Sequence, residues 1–308
     1  MHPSDDQRGF SRFLPEAVLL FVVLIWSSTF VITKDAMTVF TPYSYLFMRF
    51  LMILVLAFTV LTIQSMQRGF RTMWSVRRRD VPRFAIAGLL AYTCYQLGFT
   101  VGIDNTSTFA SSVLISTAPL FTLVLAMVLG ERHPKGALAG MIIALAGVVI
   151  FLLESGTAGT SLYGNLLSIG AAFAMATFWI VSRPLVSAYP ATTVSAFTTL
   201  AGTVPLLIIG WSDAGAQDWG ALEPRHWLML IYMAVFPIYL VYIANNWVIS
   251  QRGVTATSAN LLVPVVSGIL AVLILDEALG VSKLIGAGIV LAGLMLIQRT
   301  RIRAARDG

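Results

Sequence analysis

The sequence repeats itself, and each copy is five apolar spans long. Glu131, Leu138, Gly140, Ile143, Leu145, Ala146 and Gly147 recur 146 residues later as Glu277, Leu284, Gly286, Ile289, Leu291, Ala292 and Gly293. Upstream the offset is 147, which carries Tyr95 onto Tyr242, Val101 onto Val248, Thr108 onto Thr255 and Ser111 onto Ser258. A register kept across two loops is a duplication. An odd number of crossings per copy turns the second copy upside down in the membrane, and such inverted pairs build two alternately opening faces around one central site. A solute pathway is the first expectation.

With 57% apolar and 11% charged residues in 308 and a mean hydropathy of +0.84, the chain is too apolar for a soluble domain. Apolar spans fall at about 13–33, 43–63, 83–103, 107–129, 136–154, 163–182, 191–211, 227–249, 256–275 and 281–298, each near the roughly 20 residues that cross a bilayer. No alternating ten-residue pattern of a barrel occurs. The predicted fold is therefore an all-α integral membrane protein of ten transmembrane helices, arranged as two inverted five-helix repeats. A tail over 1–12 precedes the first repeat (13–155), a short polar linker follows Glu154, and the second repeat (163–300) ends in a basic tail over 301–308.

Sixteen lysines and arginines, including Arg68, Arg71, Arg77, Arg78, Arg79 and Arg83, fall on one side of this topology, against Lys34, Arg225 and Lys283 on the other. The positive-inside rule then puts both termini in the cytoplasm. It also accounts for the net charge of +6 without nucleic acid: basic residues flanking spans face lipid headgroups. The first span ends in Trp26, Phe30 and Lys34 rather than a small-residue cleavage site, so it is read as a retained helix. The single Cys94 makes no disulfide framework or CxxC metal site, and nothing in the sequence calls for a cofactor.

Gly136, Gly140 and Gly147 in the fifth span and Gly286, Gly288 and Gly293 in the tenth permit close helix approach, either on each other or across a homodimer face. Pro119 and Pro264 sit in the corresponding fourth and ninth spans, near Ser111, Ser112, Ser116 and Thr117 in one copy and Thr255, Thr257, Ser258 and Asn260 in the other. Proline frees a carbonyl, which lipid penalises and a polar interior can use, so these spans are expected to face the interior.

Trp26-Ser27-Ser28-Thr29-Phe30, Pro42 with Arg49, and Ala110-Ser111-Ser112 through Pro119 to Gly130-Glu131 resemble the drug/metabolite transporter superfamily. So do Ala256 to Ser258, Pro264 and Asp276-Glu277 of the second copy. The resemblance is to its ten-helix exporters with two EamA-type repeats, and among them most to exporters of aromatic amino acids and related metabolites. It implies a bacterial inner membrane and a basket of helices with spans 1, 3, 4, 6, 8 and 9 around a central cavity. The copies are not equivalent: Thr198 stands where Arg49 would recur, and Met175 where Trp26 would.

The polarity of the spans points to the same place. Tyr92, Tyr95 and Gln96 in span 3, and Tyr239, Tyr242, Asn245 and Asn246 in span 8, are denser in polar tips than lipid favours. Tyr92 with Gln96, and Tyr239 with Tyr242 and Asn246, are spaced to share helical faces. With Trp26, Trp179, Ser111, Ser112 and Ser258 they form the candidate substrate site. Stacking on a ring contributes roughly 0.5–1.5 kcal/mol per pair, and amides and hydroxyls could hold both ends of a zwitterion without a fixed charge. The expected ligand is a small amphipathic solute.

Charge placement narrows the mechanism. Arg49 is the one ionisable residue placed firmly inside a span, near enough to Pro42 to snorkel. Glu131 and Glu277 are expected to cap the amino terminus of the next helix. Glu16 lies near one end of span 1, and no carboxylate sits at the bilayer centre, which favours a facilitator over a proton antiporter. A proton-coupled multidrug exporter is the alternative within transport, and a non-transporting scaffold the alternative outside it. An intramembrane enzyme is disfavoured, because His2, His133 and His226 lie at span ends and no HExxH motif occurs.

Overall fold

The computed structural model describes residues 5–131, 133–153, 161–241, 244, 247, 248, 251 and 259–307. Among these the chain is helical, with no strand. The helices are α1 (Asp5–Ala36), α2 (Pro42–Arg68), α3 (Phe70–Trp74), α4 (Val81–Gly88), α5 (Tyr95–Asp104), α6 (Thr108–Ile115), α7 (Ala118–Val128), α8 (Lys135–Leu153), α9 (Leu162–Ala188), α10 (Ala191–Ala216), α11 (Pro224–Val235), α12 (Val263–Leu275) and α13 (Val281–Asp307). Among the described residues, eight helical segments are long and apolar enough to cross a bilayer, and Ala259–Leu275 is shorter. The linker residues 154–160 lie outside the described residues.

Helix starts follow local capping chemistry. Thr41, Ser107 and Ser161 place their hydroxyls to accept from the backbone N–H of Ser44, Ala110 and Gly164, which satisfies donors that have no partner inside the helix. Pro119 and Pro264 do not sit inside unbroken helices as the sequence suggested. The fourth span divides at Ser116 and Thr117, and each proline occupies the first turn of a new helix, α7 or α12. That is where a missing N–H costs no hydrogen bond.

Packing rests on glycine. The α8–α13 contact runs antiparallel: a Cβ on Gly136 would meet Thr300, one on Gly140 the Gly293 carbonyl at 2.6 Å, and one on Gly147 the Val290 nitrogen at 2.6 Å. The glycines that recur at offset 146 thus face one another within the chain. A second seam forms where Gly88 of α4 meets Gly202 of α10. Lipid is as apolar as leucine, so close backbone approach and dispersion, rather than expulsion of water, hold such helices together.

At one end of the bundle, Lys34 Nζ donates to the carbonyls of Ile103 (2.8 Å), Asp104 (3.1 Å) and Thr106 (2.9 Å). A cation there complements the carboxyl-terminal dipole of α5. Glu277 does not cap the helix that follows it. Its carboxylate accepts from Thr108 N (2.6 Å) and Phe109 N (3.2 Å), so a residue of the second repeat caps α6 in the first. The carboxylate reaches α6 because Asp276 turns the chain back with φ +52°. Glu131 pairs with Arg183 at 2.8 Å. Replacing Glu277 by alanine should cost about 2 kcal/mol, read as a lower melting midpoint in detergent, with glutamine losing less. An unchanged alanine melt would remove this cap from the account.

Candidate functional site

Among the described residues, two π-helical turns recur, one in each sequence repeat. Leu89–Cys94 joins α4 to α5, and Phe236–Leu240 follows α11. Their first residues are 147 apart (236 − 89), the same offset as the sequence repeat, so both copies distort at one place. A π turn carries one residue more than the α-helix and is enriched at functional positions. Tyr92 lies in the first turn and Tyr239 in the second. Pro237 helps account for the second, since its nitrogen has no hydrogen to give the Met233 carbonyl four residues earlier. No proline stands in the first.

Around these turns the aromatic residues pack in separate groups. Tyr95 stacks parallel on Phe99 at 6.1 Å, and Phe99 meets Phe30 of α1 edge-on at 5.3 Å. Tyr92 packs edge-on against Phe50 of α2 at 5.9 Å. Tyr232 stacks on Phe236 at 4.8 Å and shares a 2.7 Å hydroxyl bond with Ser28. Trp26 packs in the same cluster as Tyr232 and Phe236. Tyr239 packs near Leu61, Phe58 and Phe197, its hydroxyl without a hydrogen-bond partner among the described residues.

Trp26, Tyr92 and Tyr95 thus stand in three packing groups, and Arg49 of α2 joins Gln96 of α5 to Met233 of α11. Trp179 stands on α9, 43% exposed. Ser111 and Ser112 are fully buried in helix packing: Ser111 accepts from Ser168 Oγ at 3.0 Å and Ser112 donates to the Phe109 carbonyl. Tyr242, Asn245, Asn246, Thr255, Thr257 and Ser258 lie outside the described residues. A groove of about 510 Å³ opens between Arg79, Arg83 and Ile86 on one side and Ile180 and Val181 on the other; it contains none of the expected site residues.

Arg49 corrects the sequence reading most. It does not snorkel to a surface but is 3% exposed. Its Nε donates to the Met233 carbonyl at 3.3 Å, the carbonyl that Pro237 leaves short of a donor, and its Nη1 to Gln96 Oε1 at 3.2 Å. The guanidinium also lies 5.9 Å from the Tyr45 ring centre and 5.6 Å from that of Phe50, within cation–π range. Tyr232, Phe236 and the two π turns were not singled out from sequence, although Pro237 inside an apolar span was a visible signal.

The EamA-like transporter family matches this chain twice, over residues 14–153 and 162–299. A probable terminal-alkyne amino-acid exporter of Streptantibioticus cattleyicolor is 27% identical over 75% of this chain and 77% of its own. A probable amino-acid metabolite efflux pump of Salmonella typhimurium is 26% identical over 90% of this chain and 92% of its own. A transporter of Archaeoglobus fulgidus is 27% identical over 92% and 98%. A solved crystal structure superposes with a TM-score of 0.59 at 17% identity, covering 93% of this chain and 98% of the other, a likeness of fold.

Proposed function

The chain belongs to the EamA-like transporter family, and from that premise we propose a secondary transporter that exports small amphipathic metabolites, foremost aromatic or other neutral amino acids. The observation that carries this reading is the recurrence of rings and hydroxyls on and beside the two π turns, in the groups of Trp26 with Tyr232, of Tyr92 and of Tyr95, the last followed by Gln96. Such a surface suits a ligand that is apolar at one end and hydrogen-bonding at the other. The amino-acid exporters among its relatives support the same substrate class.

Ten crossings in two inverted repeats, with both termini cytoplasmic, would let this site open to each side in turn. The antiparallel contact of α8 with α13, through glycines that recur at the repeat offset, supports that arrangement. Cysteines at Ser75 and Thr157 in a Cys94→Ser background should react with an impermeant reagent from opposite sides of the membrane. Reaction from the same side would end the inverted-repeat reading.

Coupling follows from charge. A proton antiporter needs a titratable group reachable from both faces, and Glu16 lies in the first turn of the apolar stretch Leu14–Ala36 of α1, near one face. The transporter therefore acts as a facilitator, and its rate in proteoliposomes should persist without a pH gradient and change little in Glu16→Gln. Uphill accumulation of aromatic solutes or lipophilic cations that collapses with a protonophore and is lost in Glu16→Gln would move the reading to a proton-coupled multidrug exporter.

A further inference from the structure

We infer that Arg49 is the counter-charge for a carboxylate on the transported solute, so the site selects for an anionic group rather than for an amine. The inference rests on the transport reading above and narrows its substrate class. A buried guanidinium is costly inside a membrane protein unless it is paired. Among the described residues no carboxylate pairs with Arg49: the ion pairs found there are Arg79–Asp80, Arg183–Glu131 and Arg225–Glu223.

Its fixed partners are neutral and leave capacity unused. Of five N–H donors, Nε is given to the Met233 carbonyl and Nη1 to Gln96, while Nη2 donates to no described protein group. The two bonds made are the ones that would hold the planar fork still, and the edge that remains is the one a carboxylate oxygen can take. Gln96 accepts through Oε1 and so keeps its amide NH₂ as a further donor. The rings of Tyr45 and Phe50 flank the guanidinium and keep water from screening it.

The location fits the rest of the site. Gln96 and Met233 belong to the helices that carry Tyr95 and Tyr232, so Arg49 bridges the two elements whose rings would take the apolar end. The second repeat has Thr198 at the position corresponding to Arg49. Among the described residues the site therefore has one cationic pole, as expected for a ligand with one carboxylate.

The test is binding by the purified wild-type protein in detergent, read as thermal stabilisation by three probes: phenylalanine, 3-phenylpropanoate, which keeps only the carboxylate, and phenylalaninamide, which keeps only the ammonium. The two carboxylates should stabilise, with the amide weaker by about tenfold or more, the scale of losing a charge-assisted hydrogen bond. Stabilisation by phenylalaninamide equal to that by phenylalanine would overturn the inference while leaving an aromatic-amine transporter standing. Stabilisation by none of the three would overturn it together with the aromatic-substrate reading. Arg49→Gln should abolish the response to 3-phenylpropanoate, and Arg49→Lys should retain part of it. Because Arg49 also holds the Met233 carbonyl, the wild-type comparison decides should the variants fail to fold.

Discussion

Leucine at Gly140 is expected to leave little folded protein. A Cβ there already meets the Gly293 carbonyl at 2.6 Å and Ile297 at 2.9 Å, and backbone cannot step aside as a side chain can. Overpacking a core typically costs about 1–3 kcal/mol. Here the α8–α13 axis distance itself must grow, and membrane helices have no expulsion of water to offset the lost contact. Monodisperse yield and melting midpoint should both fall sharply. Leucine at Gly288, where nothing stands within 4 Å, should melt like the wild type. Equal loss in both variants would mean that glycine matters in these helices for a reason other than close approach.

The second large effect belongs to the aromatic groups. Alanine at Trp26 or Tyr95 removes a ring from the proposed binding surface, and truncating a well-packed anchor costs about 1–3 kcal/mol of binding, or roughly 5- to 150-fold in affinity. Tyr95→Phe keeps the stack on Phe99 and removes only the hydroxyl, so it should retain most of the affinity and separate stacking from hydrogen bonding. Trp179, exposed and outside the packed clusters, offers the complementary case: Trp179→Ala should fold normally, and any loss there is a loss of ligand contact. Wild-type affinity in Trp26→Ala, Tyr95→Ala and Trp179→Ala alike would place binding elsewhere.

Eight of the apolar spans were legible because a bilayer demands about twenty apolar residues in a row, whereas helices such as α1, α9 and α13 run several residues past the apolar stretch. Helix capping by Thr41, Ser107 and Ser161 is equally local, since each partner lies three residues away. Glycine repetition signalled tight packing, but whether those faces met within one chain or between two could not be told without the fold. Arg49 was misread because distance from a span's end predicts snorkelling, whereas the Met233 carbonyl, 184 residues further on, supplies an acceptor that only tertiary structure brings near. Glu277 was misread for the same reason: the nearest helix terminus in space is α6, not the next one in sequence. The π turns left no hydropathy signal because inserting one residue in a helix rotates side chains without changing their polarity.

The proposed site, aromatic with one cationic pole, would carry an amino acid across the membrane. Its most direct measurement is counterflow: liposomes containing the purified protein are loaded with unlabelled phenylalanine and diluted into a trace of labelled phenylalanine, with no pH or voltage gradient. Transient accumulation of label that is abolished by excess external 3-phenylpropanoate and reduced in Tyr95→Ala is the result predicted. Label entering no faster than in protein-free liposomes, from a preparation that is folded and inserted, would contradict the account.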